Sequence, residues 1–135
     1  MTAKFSHKLA DNYMLAMSGL LVEPDDDTYD VIRIPKWGFV ENVWLEITTA
    51  YIAGAPTITI GWKGNGETAQ AAGFMSTDIA KPFELGLKKA QQDNLLSFPG
   101  KYFSGGSGAI TVTVAAGAAT TEGQFRVIAG YSVIM

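Results

Sequence analysis

Two strand-like runs joined by a short connection constrain the fold more than any other part of the chain. The runs FVENVWLEITTAY and TITIGWK, which lie between Phe39 and Lys63, both place apolar residues at every second position. The intervening IAGAP contains Gly54 and Pro56, residue types that suit a chain reversal. We therefore predict a β-hairpin. Because an isolated hairpin is marginal in water, its apolar face needs a second sheet, and the C-terminal strand is the predicted cover.

Composition limits both the size of the fold and its partners. The 135 residues suit a single domain spanning 1–135, and 47% hydrophobic with 17% charged residues indicates a globular chain with little charge. A net charge of −3 provides no long-range attraction to nucleic acid, so no nucleic-acid partner is expected. The chain has no cysteine, no signal-like N-terminus and no run long enough to cross a membrane. We expect an unexported, soluble protein.

The remaining runs before the glycine-rich middle also favour strands. Tyr13–Val22 is apolar at consecutive positions, and we interpret it as a buried strand rather than a short helix because Ser18-Gly19 interrupts it. Tyr29–Ile34 alternates and predicts another strand. Residues 67–80 predict mostly loop, with one short strand near Gly73–Ser76. The polar residues 1–12 predict an N-terminal arm.

The second half predicts the rest of an all-β domain. Phe83–Leu87 favours a strand, with a helix over Gly86–Asn94 as the alternative, and short runs flank Pro99-Gly100. Ala109–Ala115 alternates cleanly, and the run from Val127 is apolar on both faces, which predicts a central strand. About eight strands separated by turn signals indicate a single antiparallel β-sandwich, jelly-roll-like in its arrangement.

The residues that carry chemistry are sparse. His7 is the one histidine, so a histidine-based catalytic relay or metal site has no second histidine to build on. Asp25, Asp26, Asp27 and Asp30 form the densest acidic group, but their spacing is not that of a calcium loop, and a solvated loop is favoured over a metal site. We predict no catalytic residue, no metal and no cofactor.

The three tryptophans are candidates for a sugar-binding platform if they share a face. Trp44 and Trp62 lie within regular strand patterns, which favours packing in a core or an interface. Trp37 lies between Pro35 and Gly38 at a strand junction and is the tryptophan we expect to be exposed.

A resemblance adds to these patterns. The runs IRIPKWGFVENVWLEITTAYIAGAPTITIGWKGN and GKYFSGGSGAITVTVAAGAATTEGQFRVIAGYSVIM resemble small bacteriophage virion proteins in strand order, glycine-rich turns and small-residue loops. In that family type, a compact β-sandwich or jelly roll decorates or cements a capsid shell, often as a trimer. The resemblance implies a non-enzymatic protein made in the host cytoplasm and placed on the capsid surface, with the major capsid protein and its own copies as partners.

Two functional hypotheses follow. The first is a capsid decoration protein that binds coat subunits through its arm and one edge of the sandwich. The second is a tail or head-fibre module that binds a receptor or carbohydrate through Trp37 with Tyr102 or Phe103. An enzyme is a third, weaker alternative. The predicted interface residues for these hypotheses are Phe5, Leu9, Trp37, Tyr102 and Phe103.

Overall fold

A computed structural model describes residues 13–64, 67–90, 100–115 and 122–134, and it shows two antiparallel sheets packed face to face. The first sheet has the order β1-β10-β4-β7, with β2 also paired to β10 and β8 to β4. Its strands are β1 (Tyr13–Met17), β2 (Leu21–Val22), β4 (Gly38–Thr49), β7 (Gly86–Lys89), β8 (Lys101–Tyr102) and β10 (Gln124–Val133).

The second sheet has the order β3-β9-β5-β6. Its strands are β3 (Asp27–Ile34), β5 (Thr57–Gly64), β6 (Glu67–Met75) and β9 (Gly108–Ala115). One short helix, α1 (Thr77–Ala80), follows β6. Nothing helical in the described ranges has the length or apolarity to span a membrane. The all-β antiparallel sandwich predicted from the sequence is confirmed, with ten strands in the described residues.

The predicted β-hairpin between Phe39 and Lys63 is wrong. Its two runs are β4 and β5, which belong to different sheets. The residues between them carry the chain from one sheet to the other, and Tyr51 within this connection is buried with its backbone N–H bonded to the Pro82 carbonyl at 3.0 Å. The apolar faces of the two strands therefore both point into the space between the sheets, where their side chains are buried in one shared core.

The core fills the space between the sheets and follows the alternation seen in the sequence. The side chains that point inward are almost fully buried. They include Val43, Leu45 and Ile47 from β4, Ile58 and Ile60 from β5, Ile110, Val112 and Val114 from β9, and Phe125 and Val127 from β10.

The C-terminal strand is central, as predicted, but it does not cover β4. It pairs with β4 edge to edge over ten residues, from Gln124 opposite Thr49 to Val133 opposite Gly38. The C-terminal strand β10 carries apolar residues on both faces because each face has apolar neighbours. Inward residues such as Val127 fill the core, while Ile128 lies on the outer face beside Trp44.

Other boundaries differ from the predicted ones. Tyr13–Val22 is extended but broken between β1 and β2, and the predicted loop with one short strand over residues 67–80 is instead the nine-residue β6 followed by α1. The predicted strand Phe83–Leu87 begins only at Gly86, and Gly86–Lys89 is a strand, so the helical alternative is wrong there. Residues 91–99 lie outside the described ranges.

Candidate interaction surface

The outer face of the second sheet is polar. The hydroxyl groups of Thr28 and Thr113 lie 3.0 Å apart on neighbouring strands, and Lys63 Nζ lies 2.8 Å from Asp30 Oδ2. Threonine hydroxyls and exposed ion pairs of this kind are well solvated by water. This face needs no partner.

The outer face of the first sheet is different, because an apolar row crosses its centre. The strand registers place Met17 opposite Ile128, and Ile128 opposite Trp44. Met17 is 55% exposed, whereas Ile128 and Trp44 are half-buried. Lys89 ends the row, with its Nζ 5.9 Å from the centre of the Trp44 ring. We call this outer surface of the first sheet the apolar face.

Two charges on the apolar face, those of Arg126 and Glu46, neutralise each other. Arg126 lies opposite Glu46 in the next row, and its Nε donates to Glu46 Oε1 at 2.5 Å, with both side chains about one-third exposed. Leu87 continues that row and is 59% exposed. The outer face of the second sheet therefore resembles ordinary solvated protein surface. The apolar face instead combines exposed apolar side chains with one ion pair, a composition typical of contact surfaces.

An aromatic corner adjoins the apolar face where β3 turns into β4. The Trp37 and Tyr102 rings lie 6.4 Å apart, the Phe39 and Tyr102 rings lie 6.5 Å apart, and Lys36 Nζ lies 4.7 Å from the centre of the Trp37 ring. Of the interface residues predicted from the sequence, Trp37 and Tyr102 are the two that the fold brings together. Trp37 is half-buried, and Tyr102 is 37% exposed.

Backbone contacts hold Trp37 in an unusual conformation. Its φ is +72°, in the left-handed region that bulky residues rarely adopt. Its N–H donates to the Phe103 carbonyl at 2.7 Å, and its own carbonyl accepts from the Ile134 N–H at 2.8 Å. The Tyr102 hydroxyl donates to the Ile134 carbonyl at 2.9 Å. The corner is therefore a fixed part of the fold.

Phe103 does not belong to this surface. Its side chain is fully buried, and it packs so closely on Gly64 and Gly108 that a Cβ on Gly108 would lie 2.4 Å from its ring. Tyr102 points outward because successive side chains of an extended chain alternate. The proposal of Phe103 as an interface residue is therefore corrected, while Phe5 and Leu9 lie in residues 1–12, outside the described ranges.

The other two tryptophans take different positions. Trp62 is buried, donates its indole N–H to the Thr68 carbonyl at 3.0 Å, and meets the Phe74 ring edge-on at 5.0 Å between ring centres. Trp44 lies on the apolar face. Alternation alone identified Trp44 as a strand residue, but it could not show which side of the sheet is covered.

The acidic loop is held by local contacts. The Tyr29 hydroxyl donates to the Asp25 carbonyl at 2.7 Å, the Asp27 carboxylate accepts from the Thr28 N–H at 2.7 Å, and Asp30 pairs with Lys63. Partial burial and the negative charge of Asp25 raise the pKa of Tyr29. Within the described ranges, no three His, Cys, Asp or Glu side chains converge as metal ligands.

A shallow cleft of about 570 Å³ lies against the second sheet. Its charged lining groups are Asp30, Arg33 and Lys63, and the first and last of these bind each other. Ser107 is its one hydroxyl-bearing lining residue in the described part of the chain, and no histidine is among the described residues that line the cleft. The described lining therefore does not assemble a serine–histidine pair.

Burial also perturbs the phenol of Tyr51. Tyr51 is almost fully buried, and its hydroxyl has no hydrogen-bond partner among the described residues. Burial, with the negative charges of Asp26 and Glu122, raises the pKa of Tyr51. The phenol is enclosed by core packing and by Gly123, so it has no access to a substrate.

Comparison with known proteins yields structural relatives only. No protein-family model matches the chain, and no curated protein matches it. A chain of the acidic stable capsid structure of Helicobacter pylori bacteriophage KHP30 superposes with a TM-score of 0.65 and 14% identity, covering 90% of this chain and 87% of that one. A chain of the cyanophage Pam1 capsid asymmetric unit has a TM-score of 0.59 and 22% identity, covering 99% and 94%. A chain of the Ralstonia phage GP4 capsid has a TM-score of 0.64 and 13% identity, covering 99% and 92%. The chain thus has a β-sandwich fold that also occurs in chains of three bacteriophage capsids.

Proposed function

We propose that this chain is a non-enzymatic structural protein of a bacteriophage virion, specifically a decoration or cement protein that binds the outside of the coat shell and stabilises it. Its partner is the major capsid protein, and its place is the capsid surface after synthesis in the host cytoplasm. The jelly-roll arrangement implied by the sequence resemblance is part of the same proposal.

The observation that supports this proposal most is the difference between the two outer faces. The apolar face, with Met17, Ile128 and Trp44 in one row, suits contact with protein, whereas the second sheet offers threonines and the Lys63–Asp30 pair to solvent. A protein that sits on a shell needs one face of each kind. The occurrence of the fold in three phage capsids is consistent with that position.

The decisive experiment mixes the purified protein with shells assembled from the coat protein of the same phage. We expect saturable co-sedimentation and a higher melting temperature of the shell, because a ligand that binds only the assembled state stabilises it. The variant Trp44→Glu places a charge in the centre of the apolar face, and Thr59→Glu places the same charge on β5 in the opposite sheet. Binding should weaken in the first and persist in the second. Absence of co-sedimentation at tens of micromolar protein, an order-of-magnitude condition, would refute the proposal.

The proposal includes a homo-oligomer, with three copies as the expected number, because exposed apolar side chains on a weakly charged chain favour closed symmetric assembly. Light scattering of the free protein measures this directly. A monomer at tens of micromolar, again an order-of-magnitude condition, would refute the trimer, whereas the co-sedimentation experiment decides coat binding.

A tail or head-fibre module that binds a receptor or glycan is the second candidate, and the aromatic corner is what favours it. Trp37 and Tyr102 offer two adjacent rings to a sugar, although Lys36 already covers part of the Trp37 ring. A glycan array compared between the parent protein and Tyr102→Ala tests this role. Specific glycan binding lost in the variant would support it over decoration.

A further inference from the structure

Residues Tyr13–Val22 form one edge of the first sheet, and we call them the uncharged edge. Both strands in it, β1 and β2, pair with β10, and neither has another partner strand within the described residues. None of its ten residues carries a charge. Five of its large apolar side chains are about half exposed or more: Met14 53%, Leu15 65%, Met17 55%, Leu20 46% and Val22 59%.

The other sheet edges carry features that discourage strand addition. The opposite edge of the first sheet contains Lys88 and Lys89 in β7 and Lys101 in β8. In the second sheet, β3 contains Asp27, Asp30 and Arg33, and β6 is irregular, with register shifts in its pairing with β5. Charges and bulges on edge strands are how proteins prevent unwanted pairing. Only the uncharged edge, among those described, lacks such features.

The uncharged edge is firmly attached to the sheet despite the break between its strands. At the break, the Ser18 N–H donates to the Val127 carbonyl at 2.8 Å, and the Ser18 hydroxyl accepts from the Val127 N–H at 2.9 Å. The Ser18 side chain therefore replaces a backbone carbonyl and continues the ladder. Because the edge is held in place before any partner arrives, little conformational entropy is lost when a strand adds to it.

We propose that an uncharged, extended segment of a coat subunit adds as a strand to the uncharged edge, pairing its backbone with β1 and packing its apolar side chains beside Leu15 and Met17. The inference rests on the proposed decoration function and identifies the edge through which it acts. Main-chain hydrogen bonds provide the attachment, and alternate side-chain positions provide the selectivity.

Two features favour a coat segment over a second copy of this chain. Self-pairing of β1 would involve five residues, about 17 Å of strand, and a contact of that length is on the order of a few hundred Å², below the roughly 1,000 Å² of a stable interface. On a shell, several short contacts act together and strengthen one another. In addition, residues 1–12, proposed to bind the coat, lead directly into Tyr13, so arm and edge reach the same partner.

The test compares two leucine-to-lysine changes at equally exposed positions. Leu15→Lys places a charge in β1, and Leu85→Lys places the same charge just before β7, at a residue that belongs neither to the apolar face nor to the uncharged edge; both parent leucines are 65% exposed. Both side chains already project into solvent, so both variants should fold with parental melting temperatures. For binding to coat shells, we expect the dissociation constant to rise about tenfold or more for Leu15→Lys and less than twofold for Leu85→Lys.

Amide hydrogen exchange of the shell-bound protein separates strand addition from simple apolar contact. We expect exchange in Tyr13–Met17 to slow at least about tenfold on binding while Gly86–Lys89 is unchanged, because an added strand supplies acceptors to outward-facing N–H groups. If the parent protein fails to bind shells, the proposed function is refuted. If it binds but Leu15→Lys binds equally well, or the β1 amides are unprotected, strand addition is refuted and the function stands. A change in oligomer size in Leu15→Lys would assign the edge to a second copy and likewise overturn the inference.

Discussion

Replacing Gly61 by alanine should strongly destabilise the protein, because β6 crosses directly over this position. A Cβ on Gly61 would lie 1.7 Å from the Gln70 carbonyl oxygen and 2.6 Å from the Ala71 carbonyl carbon. Both are backbone atoms at the irregular part of the β5–β6 pairing. A rotamer change cannot relieve the contact, so the strand itself has to move.

The magnitude follows from that geometry. A carbon and a carbonyl oxygen approach to about 3.3 Å at closest, so β6 must retreat by about 1.6 Å. Overpacking of a well-packed interior costs about 1–3 kcal/mol, and we expect the upper end here because the shift breaks ladder bonds to β5. For 135 residues the unfolding entropy converts 1 kcal/mol into about 3.5 °C, so the melting temperature should fall by about 10 °C.

Two glycine-to-alanine variants provide matched controls. In Gly130→Ala the new Cβ would lie 1.7 Å from the Tyr13 hydroxyl oxygen, the far end of a side chain that can swing away, so we expect a loss of about 1 kcal/mol. In Gly19→Ala no atom of the described residues, apart from the two flanking ones, lies within 4 Å of the new Cβ, and the stability should change by less than about 0.5 kcal/mol.

Thermal unfolding followed by circular dichroism ranks the three variants, and urea titration at 25 °C converts the ranking to free energies. The reasoning predicts the order Gly19→Ala, Gly130→Ala, Gly61→Ala from least to most destabilised. A Gly61→Ala protein melting within about 2 °C of the parent would show that β5 and β6 do not approach as described, and the same would follow if Gly19→Ala lost as much as Gly61→Ala.

Three further predictions concern pH, metal and the N-terminal arm. The pKa of Tyr51 is raised above its ordinary value of 10.0, so the stability that the neutral phenol contributes is complete below pH 10 and is lost as the pH rises above 10. In urea titrations, the free energy of unfolding of Tyr51→Phe should match that of the parent within about 1 kcal/mol at pH 7, and the variant should lose less stability than the parent at pH 11. Adding EDTA should leave the melting temperature unchanged, and a fall of several degrees would instead identify a metal site at Asp25–Asp30. Deleting residues 1–12 should leave the protomer's melting temperature unchanged but weaken shell binding, since Phe5 and Leu9 would each contribute about 1.5–3 kcal/mol there before ordering entropy. Shell binding as tight as that of the full chain would exclude the arm.

The sequence by itself determined that β4, β5, β9 and β10 are strands, whereas it predicted mostly loop over the residues that form β6. Alternation in β4, β5 and β9 identified the inward residues, because a side chain's face in an extended chain depends only on local geometry. The central position of β10 followed from its apolar residues on both faces. Composition also led to the prediction of no catalytic residue, because one histidine and no cysteine leave little from which to build a catalytic site.

The tertiary structure decided which strands share a sheet and which apolar residues remain uncovered. The connection between β4 and β5 carried turn signals suited to a hairpin, yet the strands face each other across the core, since local patterns specify a reversal but not whether the chain re-enters the same sheet. The same limit explains Tyr102 and Phe103, adjacent aromatics of which one is exposed and the other fully buried. Whether an apolar side chain becomes core or contact surface depends on what packs against it, and that is set by residues distant in the chain.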